Sequence, residues 1–209
     1  MSPVAAPSQV SPLPSSPVLS ELTALAQAGS NVEAKSIADS IALALKKSPN
    51  TLHALQDAKI FDVVLLWASS KSGYERESAP VLVERTCRSL GTGVEGVFIP
   101  LVPVLLGLSM DKGQPVRSAV TSAINALVKI CPAEGSRLML DTLCRTLEDA
   151  KGWRTKVAAL KAMEALVKPG AEEYVANELG HVIPFVERAM HDTKAEVGPL
   201  GAKLNRECC

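Results

Sequence analysis

A unit of roughly 40 residues recurs through the second half of this chain and restricts its fold more than any other feature. Ile99-Pro-Leu-Val-Pro-Val-Leu-Leu leads to Asp111-Lys-Gly-Gln-Pro-Val-Arg117 and then to Ala119, Ala123 and Leu127. The next unit runs from residues 140–147 through Glu148-Asp-Ala-Lys-Gly-Trp-Arg154 to Ala158, Ala159 and Leu166. A third joins Val182-Ile-Pro-Phe-Val to Asp192-Thr-Lys-Ala-Glu-Val197, and aligning Val116, Trp153 and Val197 sets the period. In each unit an acid opens the turn between two helices, where its carboxylate can accept the orphan N–H groups of the second helix. The apolar residue five positions later fills the hairpin centre, and alanines let the second helix approach its neighbours. One such hairpin cannot cover its own apolar face, so the units are stable only when stacked.

The rest of the chain agrees with this reading. Apolar residues recur every three to four positions from Ser20 onward, and no period-2 alternation competes. Helices are expected near Leu22–Ala26 and Ile37–Leu45, then over residues 60–70, 79–90, 94–110, 115–130, 138–147, 153–167 and 172–190. A short one is expected over residues 194–204. Aromatics are only 3% of a chain that is 47% hydrophobic, and the remainder is mostly Ala, Leu and Val, which suits close-packed helices. Residues 1–19, with five prolines among serines, lack bulky apolar side chains and read as a disordered tail before a repeat domain over residues 20–209. The expected fold is therefore all-α, an α-solenoid of about five helical hairpins, and its period lies in the range of HEAT and armadillo repeats.

Charge and chemistry narrow the function classes. Lysine plus arginine and aspartate plus glutamate balance at 22 each, so a polyanion contact has to come from a local patch. Cys87, Cys131 and Cys144 show no metal-ligand spacing and read as reduced, buried small hydrophobes; Cys208-Cys209 ends the chain. No phosphate-binding G-x-x-x-x-G-K-[ST] is present. Gly91-Thr-Gly-Val-Glu-Gly96 matches G-x-G-x-x-G, but a helix precedes it where the dinucleotide fingerprint needs a strand, so it reads as a helix end and loop. His53, His181 and His191 show neither metal-binding nor catalytic spacing. We expect no catalytic residue, metal, cofactor, small-molecule substrate or membrane contact, and a monomer in the cytoplasm.

One electrostatic feature remains. Lys151, Arg154, Lys161 and Lys168 follow i, i+3, i+10 and i+17 along one helix, with Ala158 and Ala165 in the same stripe. The stripe is expected to lie opposite Val157, Leu160, Leu166 and Val167; Lys156 flanks it and only Glu164 opposes the charge. A basic ridge between alanines suits close approach to phosphates, and an ordinary solvated helix face has the same pattern. Trp153 reads as a core plug, with base stacking as the sharper alternative.

Lys151-Gly-Trp-Arg-Thr-Lys-Val-Ala-Ala-Leu160, then Glu178-Leu-Gly-His-Val-Ile-Pro-Phe-Val and Ala189-Met-His-Asp-Thr-Lys-Ala-Glu-Val197, resemble the N-terminal HEAT domain of the fungal translation elongation factor 3 family. They are similar too to a HEAT segment of the large ribosome-associated activator of the general-control kinase. The likeness is strongest over residues 111–197 and is one of pattern over residues 20–110. It implies a ribosome-binding scaffold acting in translation elongation. Its partners would be rRNA and ribosomal proteins, met by Lys151, Arg154, Lys156, Lys161, Lys168 and Lys194. A HEAT adaptor for a protein helix or acidic peptide is the alternative. The family carries two ATPase cassettes elsewhere in its chain, so these residues would act without catalysis, as a fragment, truncated product or short paralogue. The family continues past Glu196-Val197 into an alanine-rich helix. Here Gly198-Pro199-Leu200-Gly201 follows and is expected to interrupt the last hairpin.

Overall fold

The computed structural model describes residues 17–167 and 172–208, so most of the expected tail, Lys168 and Cys209 lie outside the described residues. Among the described residues twelve α-helices form five stacked hairpins. Helices α1 (Pro17–Ala26) and α2 (Asn31–Lys46) make the first; α3 (Thr51–Asp57) and α4 (Ile60–Ala68) pack with α5 (Gly73–Leu90) as the second. In the third, α6 (Glu95–Phe98) and α7 (Val102–Gly107), with 3-10 turns at Ile99–Leu101 and Leu108–Met110, lie against α8 (Gln114–Ile130). The fourth pairs α9 (Ala133–Asp149) with α10 (Trp153–Val167), and the fifth α11 (Glu172–Met190) with α12 (Gly198–Cys208). The second helices α2, α5, α8, α10 and α12 touch in succession and form one layer, while α4, α7, α9 and α11 form the other. This is the α-solenoid expected from the repeats.

Local chemistry accounts for the helix ends. Ser30 Oγ accepts the Glu33 N–H at 3.2 Å at the start of α2, and Asn50 Oδ1 accepts the His53 N–H at 3.0 Å at the start of α3. The helix expected over residues 94–110 is broken into four pieces because Pro100 and Pro103 each remove a ladder donor and open a new segment. Helix α1 takes in Pro17, three residues before the expected boundary at Ser20, a position that proline tolerates at a helix start. One apolar cluster runs from Val18 to Leu204, with Leu25, Ile41, Leu82, Phe98, Leu105 and Leu127 fully buried. Cys87 and Cys144 sit in it as free thiols whose pKa burial pushes up to about 12, as expected of small core hydrophobes, whereas Cys131, expected to be buried with them, is only half-buried just past the end of α8.

Shared hydrogen bonds fix the true register of the repeats. Arg76, Arg117, Lys156 and Gly198 each donate their backbone N–H to the carbonyl four residues back, at 3.2–3.3 Å, across the same turn. This makes Ser70, Asp111, Ala150 and Asp192 equivalent, and likewise Val116, Thr155 and Val197, all buried. The alignment through Trp153 is therefore two residues out. Helix α9 absorbs Glu148 and Asp149, Ala150 takes the turn position, and the half-buried Trp153 opens α10.

At two of these turns a cation from one hairpin holds the carboxylate of the next. Arg76 Nε donates to Asp111 Oδ2 at 2.5 Å, and Asp111 Oδ1 accepts the Gly113 N–H at 2.7 Å. Lys156 Nζ donates to Asp192 Oδ2 at 2.6 Å, and Asp192 Oδ1 accepts the Lys194 N–H at 2.9 Å. The hydrogen bond from Arg76 holds the Asp111 carboxyl below the usual carboxylate range, and Lys156 does the same for Asp192.

The interruption expected at Gly198-Pro199 does not occur. Both residues lie in the first turn of α12, where proline's missing N–H would have no helical partner. Gly201 is required there by packing: a Cβ on it would stand 2.8 Å from Met190 N and 3.0 Å from Ala189 C.

Three outcomes follow for stability. Gly201→Ala forces the α11 backbone away and should lower stability by about 1–3 kcal/mol in urea unfolding. Gly180→Ala, with nothing within 4 Å of the added Cβ, should leave stability unchanged or raise it by up to about 1 kcal/mol. The depressed carboxylates contribute stability that is present above about pH 4 and lost as pH falls through their folded values. Wild type should therefore lose more stability between about pH 5 and pH 2 than the Asp111→Asn/Asp192→Asn variant, measured by unfolding across that range.

Candidate functional site

Helices α8 and α10 meet along a groove of about 270 Å³ on the layer of second helices. From α8 it is lined by Arg117, Val120, Thr121, Ile124 and Asn125, and from α10 by Arg154, Val157, Ala158, Lys161 and Ala162. Both sets follow i, i+3, i+4, i+7 and i+8, one face of each helix. Ser109, in the middle of a 3-10 turn, closes one side. The walls are cationic and polar, the floor is aliphatic, and no carboxylate lines the groove.

The structure brings together Arg154 and Lys161 of the expected ridge, both exposed. The Arg154 guanidinium carbon stands 4.7 Å from the centroid of the Trp153 ring, a cation–π contact that orients the side chain. Lys151 is exposed on the turn before α10 but borders a different cleft, one lined by Met110, Arg145 and Asp149. Lys194 is exposed on the turn before α12, and Lys168 lies outside the described residues. Lys156 does not join the ridge, because its ammonium is committed to Asp192. Val157, expected opposite the ridge, lies in the groove beside Arg154: three residues make nearly one turn, which places the two on one face. Glu164, the acid expected to oppose the ridge, is paired with Lys203 of α12 at 2.6 Å.

Arg117 was missed by sequence reasoning. Its signal was the vertical alignment Arg76, Arg117, Lys156, hidden by the two-residue slip at Trp153. Its Nη1 donates to the carbonyls of Asp111 at 2.7 Å and Lys112 at 2.8 Å, which anchors the guanidinium at the groove mouth.

The other candidate motifs are structural. Gly91, at φ 72°, caps α5 and donates its N–H to Cys87 O at 3.0 Å. Gly93, at φ 101°, donates to Glu95 Oε2 at 2.6 Å, so a carboxylate of the chain itself occupies the amide. His53 faces Asp57 on the exposed side of α3, and His181 lies near Asp141. Among the described residues no cluster of acids, histidines and cysteines could hold a metal, and no helix is long and apolar enough to cross a membrane.

Comparison with known proteins agrees with the repeat architecture. Over 131 residues the chain is 34% identical to the mRNA export factor elf1 of Schizosaccharomyces pombe, a match covering 62% of this chain and 12% of elf1. It is 30% identical over 142 residues to elongation factor 3 of Gonapodya prolifera, covering 68% of this chain and 13% of that protein. It is 27% identical over 137 residues to the human stalled ribosome sensor GCN1, covering 66% of this chain and 5% of GCN1. The chain thus spans about an eighth of the length of the first two relatives. The family model described as the EF3 N-terminal HEAT repeat matches residues 30–201, from the start of α2 into α12, and the chain belongs to that family.

Proposed function

We propose that this chain is a ribosome-binding HEAT scaffold that serves translation elongation in the cytoplasm without catalysis of its own. The observation that carries the reading is a basic groove, with no carboxylate in its lining, between the third and fourth hairpins of a chain whose relatives include elongation factor 3 and a stalled ribosome sensor. Arg154 and Lys161 would meet rRNA phosphates along α10. Lys151 and Lys194 extend the charge from the neighbouring turns, and Lys168 would continue it beyond the described residues. Alanines beside the cations, Ala158 and Ala165, leave room for a phosphate backbone to approach. Lys156 supports this surface from behind by pinning the last turn through Asp192.

Each phosphate neutralised releases condensed counterions, so binding should weaken steeply with salt. Purified protein should co-sediment with ribosomes at about 50 mM salt and dissociate by about 200 mM. Arg154→Glu/Lys161→Glu should lower the low-salt binding at least about ten-fold while leaving the unfolding midpoint in place, since both side chains are exposed. Unchanged co-sedimentation of that variant would remove these residues from the interface, and no co-sedimentation by wild type would remove the reading.

A further inference from the structure

The turn-to-turn ladder has a missing rung. Arg76 reaches the carboxylate of the following turn, Asp111, and Lys156 reaches that of Asp192. Arg117 occupies the equivalent position between them, but the turn that follows it offers Ala150, whose side chain ends in a methyl group. Among the described residues no carboxylate stands at ion-pair distance from Arg117; Asp111, which Arg76 holds, is the acid that feels its charge. Its Nη1 holds two turn carbonyls just as Arg76 Nη1 holds Ser70 O at 2.9 Å and Lys71 O at 2.8 Å, and its Nη2 meets the Gln114 side chain. The Nε edge, which Arg76 turns to a carboxylate, is without one in Arg117.

A second guanidinium stands at the same place. Arg154, in the first turn of α10, lines the groove with Arg117, and Lys161 follows two turns later. Three cations thus share a groove that contains no acid, over a floor of Val120, Ile124, Val157 and Ala158.

We propose that the α8–α10 groove binds an acidic peptide segment of a protein partner, whose carboxylate takes the Nε edge of Arg117 while an adjacent aliphatic side chain covers the floor; Ala150, at the turn position that supplies a carboxylate elsewhere, lines the neighbouring cleft with Asp149 and Lys151. A carboxylate suits a forked guanidinium already anchored by its other nitrogens. The aliphatic floor favours a partner that sets aliphatic side chains beside its carboxylates over one that presents only phosphates to Val120, Ile124 and Val157. An acidic peptide with leucine-like neighbours satisfies both walls and floor. The site shares Arg154 and Lys161 with the ridge of the ribosome reading and adds Arg117 to them, so the two occupants would compete for it.

Fluorescence anisotropy on the full chain tests it with three probes. These are a short peptide with Glu and Leu at helical spacing, the same peptide with Gln for Glu, and an oligouridylate. Two variants act on the rung from opposite sides. Arg117→Gln removes the cation; Ala150→Asp supplies the missing carboxylate from within the chain. Wild type should bind the Glu-Leu peptide and not its Gln counterpart, and both variants should weaken that binding at least about ten-fold. Ala150→Asp should also raise the thermal midpoint, which separates a filled rung from a damaged fold. Oligouridylate binding and ribosome co-sedimentation should change less than about two-fold in Ala150→Asp. Absence of peptide binding, or peptide binding indifferent to both variants, overturns the proposal. So does a dependence on Arg117 and Ala150 shown by oligouridylate and not by the peptide, which would assign the groove to nucleic acid.

Discussion

Apolar burial brings the hairpins of this chain together, but burial is non-directional and does not by itself set how far one hairpin slides along the next. The directional contact is the one from a cation in the first turn of a second helix to the carboxylate of the following hairpin's turn. Arg76 to Asp111 and Lys156 to Asp192 have this geometry, and each carboxylate also accepts a backbone N–H of its own turn. Each rung therefore ties three things: the end of one hairpin, the conformation of the next turn, and the offset between them. Asp111 and Asp192 are largely withdrawn from water, so these bonds are less weakened by solvent than surface pairs.

The groove is a consequence of that ladder. Where a rung is complete, cation and carboxylate neutralise each other and the surface carries no net local charge. At Arg117 the rung is incomplete, and the charge is left facing the seam between α8 and α10, where Arg154 and Lys161 add to it. Other acids near this layer are engaged elsewhere: Glu164 with Lys203, and Asp39 with Arg85. A chain that is neutral overall thus holds a concentrated positive site, which net charge alone conceals.

Much of the fold was legible because helical periodicity is local. The stripes Ile37, Ile41, Ala44 and Leu45 on α2, and the repeated turn sequences, imply helices and stacking without any tertiary information. Errors fell where two local signals conflicted. Glu148 and Asp149 look like the turn acid, and Trp153 like the plug, yet α9 extends through both acids and leaves Ala150 and Thr155 in those roles. Gly198-Pro199 looks like a break because propensity takes no account of position; in a first helical turn the same proline has little cost. Arg154 and Lys161 were legible as candidates from their spacing. Lys156 was misjudged because its charge is engaged by a residue 36 positions away.

By itself the sequence determined an all-α stack of hairpins with a period near 40 residues, since apolar spacing, capping residues and turn chemistry act over a few neighbours. Tertiary structure decided which cations stay available. Lys156 and Arg117 hold equivalent places in their hairpins, and Arg117 is anchored by the carbonyls of its own turn as Arg76 is. The difference lies in the turn of the next hairpin, Asp192 in one case and Ala150 in the other. A charge is free or engaged according to what stacking places beside it, and stacking joins residues that local spacing does not relate.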